Sequence, residues 1–64
     1  MVYTNIKLLC VKSGITVADL EKKVGIGAGA ISKWRNHAPN AFSLKKVADF
    51  FGCTVDDLLR EDSA

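Results

Sequence analysis

The sequence predicts an all-α fold of five short helices, on three observations. Apolar residues recur at three- and four-residue spacings and nowhere alternate over a stretch long enough for a half-buried strand. Gly, Pro, Asn and Ser-Gly signals cut the chain into short pieces. The 64 residues suffice for one small core, since a chain of this size hides only about 60% of the surface its unfolded form exposes. Residues 1–64 therefore read as one compact domain. A ligand pocket of roughly 300 Å³ or more would consume much of such a core, so neither a small-molecule substrate nor a cofactor is expected.

The elements follow in order. A first helix is expected from about Thr4 to Lys12, with Ile6, Leu9 and Cys10 on one face and Ser13-Gly14 as its stop. Thr16 opens the second: with Asp19 it makes an acidic variant of the capping box, Leu20 and Val24 continue the buried stripe, and Gly25 ends it. After Gly25, Ile26 and Gly27 a third helix is expected from about Ala28 to Asn36, with Ile31 and Trp34 inward. His37 to Pro39 form a loop. Asn40 caps a fourth helix, whose face is Leu44, Val47, Ala48 and Phe51, and Gly52 stops it. Thr54 and Asp57 repeat the capping signal for a last helix carrying Val55, Leu58 and Leu59. Glu61 to Ala64 form a polar tail expected to fray.

Net charge is +2, but its distribution is uneven. Met1 to Lys46 carries eight Lys/Arg against Asp19 and Glu21, giving +6, whereas Val47 to Ala64 comes to −4. Clustered cations suit a polyanionic partner, with the acidic end facing away; the alternative is that these charges only solvate helix faces. Cys10 and Cys53 form no CxxC pair and His37 stands alone, so no metal site is visible. The two thiols are expected to be small apolar residues rather than a disulfide. Lys7 and Lys12 interrupt the apolar run at the start, which fits neither an export signal nor a membrane span, and a cytoplasmic location is expected.

The informative stretch is Val17 to Asn36, VADLEKKVGIGAGAISKWRN. It reads as helix, three-residue turn, helix, with Leu20, Val24, Ile26, Ile31 and Trp34 locking the two helices at about 90 to 120°. Gly25 stands where the chain reverses and a positive φ is needed. An ordinary helical hairpin is the alternative from this segment alone.

Across nearly the whole chain, Ile6-x-x-Leu9, Gly14-Ile15-Thr16, Leu20, Gly25, Ile31-Ser32-x-Trp34, Pro39, Leu44-x-x-Val47-Ala48, Phe51-Gly52 and Val55-Asp56-Asp57-Leu58-Leu59 resemble the phage repressor and Cro family of helix-turn-helix DNA-binding domains. That resemblance implies a five-helix, lambda-repressor-like domain. Its third helix would enter the major groove of double-stranded DNA, usually as a homodimer on a two-fold symmetric operator. By position it implies base-edge contacts from Ala28, Gly29, Ser32 and Lys33, with Gly27 at the helix start. Only Ser32 and Lys33 of these have side chains able to hydrogen-bond a base, Lys33 best to guanine O6 or N7. The glycines and alanines could instead allow close backbone approach, apolar contact and shape readout, or serve only as a permissive helix start. Phosphate contacts are implied for backbone N–H groups near Thr16 and Val17, and for Asn36, His37, Asn40 and Ser43. Lys22, Lys23, Lys45 and Lys46 are candidates to add attraction, each with a solvated surface role as the alternative.

Three positions depart from the family. Glu21 stands where alanine is common inside the bend, and its carboxylate needs a partner or water, Arg35 being one possibility. The family's pair of an arginine on the first helix and a glutamate ending the third is replaced by Cys10 and Arg35. Val17 replaces the usual polar opening of the second helix. A dimer is expected to use the last helix and Phe42 or Phe50. A second expectation, from a different class, is an antitoxin or adaptor that keeps the fold and binds protein. An enzyme is not expected: no nucleophile with a base and no carboxylate pair is evident, and GIGAG lacks the preceding strand of a dinucleotide site.

Overall fold

Three of the helix starts are fixed by side chains that capture first-turn amides. The Thr16 hydroxyl accepts from the Asp19 N–H at 3.0 Å, and the Asp19 carboxylate accepts from the Thr16 N–H at 3.1 Å. Thr54 and Asp57 form the same reciprocal pair at 3.0 and 3.1 Å. The Asn40 side-chain oxygen accepts from the Ser43 N–H at 2.8 Å. Each satisfies donors that a helix start leaves without an intrahelical acceptor. In the computed structural model, which describes residues 2–60, these caps open three of the elements α1 (Val2–Ser13), α2 (Val17–Val24), the 3₁₀ helix η1 (Ile31–Arg35), α3 (Ala41–Phe51) and α4 (Val55–Leu59). No helix is long and apolar enough to cross a membrane, among the described residues.

Every element gives the core at least one buried side chain. α1 supplies Ile6 and Cys10, α2 supplies Leu20, η1 supplies Ile31 and Trp34, α3 supplies Leu44, Val47 and Ala48, and α4 supplies Leu58. α1 packs against η1, α4 and α2, so it is the support on which the other elements rest. It begins at Val2, two residues ahead of the expected start, because Val2 and Tyr3 also pack on the core. α4 has five residues, too few to be stable alone. Two attachments hold it: fully buried Leu58, and the Asn5 side-chain amide, which donates to the carbonyls of Leu58 and Arg60 at 2.7 Å each. Asn5 thus satisfies carbonyls at the end of the last helix from a position more than 50 residues upstream.

The expectation of five α-helices is corrected, among the described residues, to four α-helices and one 3₁₀ helix. The segment that fails to form a regular helix is the expected third one, where residues 28–30 are a turn and helical structure begins only at Ile31. The physical reason is Gly29, whose φ of +83° cannot belong to a right-handed helix. Of the apolar residues expected on the last helix, Leu58 is fully buried and Val55 packs half-buried against the core, whereas Leu59 is 50% exposed. The expected fraying of Glu61 to Ala64 lies outside the described residues. Cys10 is buried and Cys53 half-buried, both as free thiols, and burial raises the pKa of each above the ordinary thiol value.

Both capping aspartates have pKa values below the ordinary 3.8, because first the backbone N–H and then the hydroxyl of Thr16, or of Thr54, hydrogen-bond the charged carboxylate. Their folded-state pKa is depressed, so the contribution to stability is present above pH 3.8 and is lost as pH falls through the lower folded values. The melting temperature is expected to fall as the protein is acidified through that window. In Asp19→Asn/Asp57→Asn the drop should be smaller, measured by circular dichroism at a series of pH values.

Candidate nucleic-acid interface

The bend between α2 and η1 is organised by one residue. The Glu21 carbonyl accepts from the N–H groups of Gly25 and Ile26 at 3.0 and 2.9 Å, closing the end of α2. Gly25 takes a left-handed φ of +78° there, as the expected sharp corner requires. The Glu21 side chain, 4% exposed, then turns beneath the following segment. Its carboxylate oxygens accept from the N–H groups of Gly29 and Ile31, both at 2.9 Å. Left-handed Gly29 followed by right-handed Ala30 makes a concave run of amides of the kind that binds anions, here filled by the protein's own carboxylate. Arg35 is therefore not the partner of Glu21: two backbone amides are.

A 3₁₀ helix has three residues per turn, so its side chains stand in columns. Ile31 and Trp34 form the inward column, 0% and 8% exposed. Ser32 and Arg35 form a second, tied by the Arg35 Nε–H donating to the Ser32 carbonyl at 3.3 Å. Lys33 and Asn36 form the third and are exposed. The exposed apron before them is Gly27, Ala28 and Gly29. The base-edge set named from the sequence is thus brought to one solvent-facing segment, with Ser32 half-buried and Lys33 projecting.

The flanking phosphate candidates divide. At the start of α2 the Thr16 hydroxyl and N–H are both engaged by Asp19, leaving the Val17 and Ala18 amides as the donors that a first turn leaves over. At the start of α3, Asn40 uses its oxygen on the Ser43 N–H, which leaves its amide NH₂ and the Ser43 hydroxyl. His37 and Asn36 are exposed in the connecting loop. Lys22, Lys23 and Lys46 are exposed and have no carboxylate partner among the described residues, whereas Lys45 pairs with Asp49 at 2.9 Å across one exposed helical turn. Sequence reasoning missed two features. The Glu21 capture of Gly29 and Ile31 was signalled only by a carboxylate at an apolar position ahead of a Gly-x-Gly run. The position of Arg35 above Ser32 follows from a three-residue period that the α-helical expectation hides.

Two elements meeting at a glycine corner, the second presenting a polar ridge between helix starts, define a helix-turn-helix. A family model described as the Cro/C1-type HTH DNA-binding domain matches residues 5–61, and the chain belongs to that family. No curated protein and no solved structure matches the chain.

Removing the Glu21 carboxylate strands one buried and one half-buried amide. Glu21→Ala is expected to cost about 3 kcal/mol, a large share of a small domain's stability, and Glu21→Gln, which keeps one acceptor oxygen, about half as much. Thermal or urea unfolding reads both. A Cβ at Gly29 meets no neighbour but would be forced to positive φ, whereas Gly27 has no such constraint. Gly29→Ala should therefore destabilise by about 1 kcal/mol and Gly27→Ala should not.

Proposed function

We propose that this protein is a sequence-specific binder of double-stranded DNA that regulates transcription, acting as a repressor by occupying a two-fold symmetric operator as a homodimer. It works by binding rather than by catalysis, and in the cytoplasm. The observation that carries this reading is the ridge of Ser32, Lys33, Arg35 and Asn36, held outward on a turn that Glu21 and the Ile31–Trp34 column fix from beneath. A ridge so held loses little entropy on docking, and its cations are drawn to phosphate without a nearby exposed carboxylate of its own element. Lys33 is the best-placed side chain for a guanine edge, and the Gly27–Ala28–Gly29 apron favours close backbone approach and shape readout.

For the dimer, Phe42 is 82% and Phe50 43% exposed on one face of α3, and Leu59 is 50% exposed on α4. These supply exposed apolar area that a second copy could cover. Two bodies with Cα extents of 28 × 25 × 18 Å, set side by side, can span the roughly 34 Å between successive major grooves on one face of B-DNA.

Selection of bound sequences from a randomised duplex pool, repeated at two salt concentrations, tests the proposal. A preferred, pseudo-palindromic sequence should emerge, and affinity should fall steeply with salt. Lys33→Ala should weaken preferred sites by about 1 to 3 kcal/mol and leave random DNA nearly unchanged. Binding that is indifferent to salt, or a protein partner retained where duplex is not, would replace this reading with that of a protein-binding adaptor.

A further inference from the structure

We propose that Arg35, at the α1 edge of the recognition ridge, and Lys7 of α1, with Tyr3 as the positioning residue, form a clamp for the phosphate backbone. The inference rests on the DNA-binding reading above and adds residues that neither the family pattern nor the α-helical expectation assigns.

The Arg35 guanidinium lies over the Tyr3 ring, 5.2 Å from its centroid, and its Nε–H is held by the Ser32 carbonyl. One face and one edge of the guanidinium are thereby fixed, and the two Nη groups of this exposed residue keep no hydrogen-bond partner among the described residues. The fork they form matches the paired oxygens of a phosphate, and fixing it in advance removes rotamer entropy that binding would otherwise cost. Lys7 follows Tyr3 by four residues on α1, and both line a cleft of about 260 Å³ whose far wall is Thr16 and Val17 at the start of α2. Tyr3 thus stacks under the Arg35 guanidinium and lines the same cleft as Lys7.

The start of α2 is a poor phosphate site by itself. Asp19 has taken the Thr16 N–H and hydroxyl and places a negative charge there, and Val17 offers no polar side chain. A strand passing this side of the molecule meets attraction at Lys7 and Arg35 instead. Phosphate rather than a base edge is assigned because Arg35 ends η1 and leans toward α1, whereas Lys33, in the neighbouring column, is free to extend into the groove.

The test is fluorescence anisotropy with a mixed-sequence duplex and with the selected site, over a salt series. Arg35→Ala and Lys7→Ala should each lower the slope of log K against log salt by about 0.9 on both duplexes, and Arg35→Ala should lose about tenfold in affinity on both. Tyr3→Phe keeps the ring and should behave as wild type. Tyr3→Leu should weaken binding in the wild-type background and add nothing to Arg35→Ala. Circular dichroism confirms that each variant is folded. An unchanged slope for Arg35→Ala, or a loss confined to the selected site, overturns the clamp while leaving DNA binding intact. Equal losses from Tyr3→Leu in both backgrounds remove Tyr3 as the positioning residue. A wild-type protein that binds neither duplex overturns the DNA reading and the clamp with it.

Discussion

The rest of the interface depends on where the Glu21 carboxylate points. This one residue accepts four backbone amides, two at its carbonyl and two at its side chain, and so closes α2, shapes the corner and opens the recognition element. Burying a carboxylate to 4% exposure carries a desolvation penalty of several kcal/mol, which only well-formed, charge-assisted hydrogen bonds can offset. The two 2.9 Å contacts to Gly29 and Ile31 do that, and in return a segment with two glycines and no regular first turn is held in one conformation. A backbone of this composition would otherwise be the least ordered part of the molecule.

The same contact determines what the protein can present to a partner. Because the Gly29 and Ile31 amides are drawn inward to Glu21, the ridge begins later and is shorter than an α-helical recognition element from Ala28 would be. A three-residue period then sets Ser32 with Arg35 and Lys33 with Asn36, in place of the diagonal stripe of an α-helix. Few side chains could reach base edges from such a ridge, so under the proposed DNA-binding function discrimination would fall to Lys33, to the bare backbone of Gly27 and Gly29, and to the angle of approach set by phosphate contacts. Capping aspartates at α2 and α4 order the framework, and the ion pairs Lys45–Asp49 and Asp57–Arg60, both exposed, add little to it.

Most of the framework was legible in the sequence because it is encoded locally. Thr16 with Asp19, Asn40, Thr54 with Asp57, and the glycines at 25 and 52 each announce a helix end within four residues, and the inward faces of α1 and α3 follow from spacing alone. What stayed hidden depends on partners distant in sequence or on a change of period. Asn5 serving the carbonyls of Leu58 and Arg60 is invisible without the fold, as is Arg35 over Tyr3. The sequence marks Glu21 as a carboxylate in need of a partner, but an α-helix from Ala28 leaves Gly29 no left-handed turn, so the backbone amides that serve it are hidden. The place of Gly27, Ala28, Gly29, Ser32 and Lys33 in one segment is legible from the motif, but an α-helical period hides the arrangement of Ser32 and Lys33 into columns.

Amide hydrogen exchange followed residue by residue by NMR tests the central role of Glu21 most directly. If the carboxylate holds the turn from within, the Gly29 and Ile31 amides exchange slowly and resonate downfield, while those of the adjoining Gly27 and Ala28 exchange at rates typical of exposed loops. Gly29 and Ile31 amides exchanging as fast as their exposed neighbours would contradict the account.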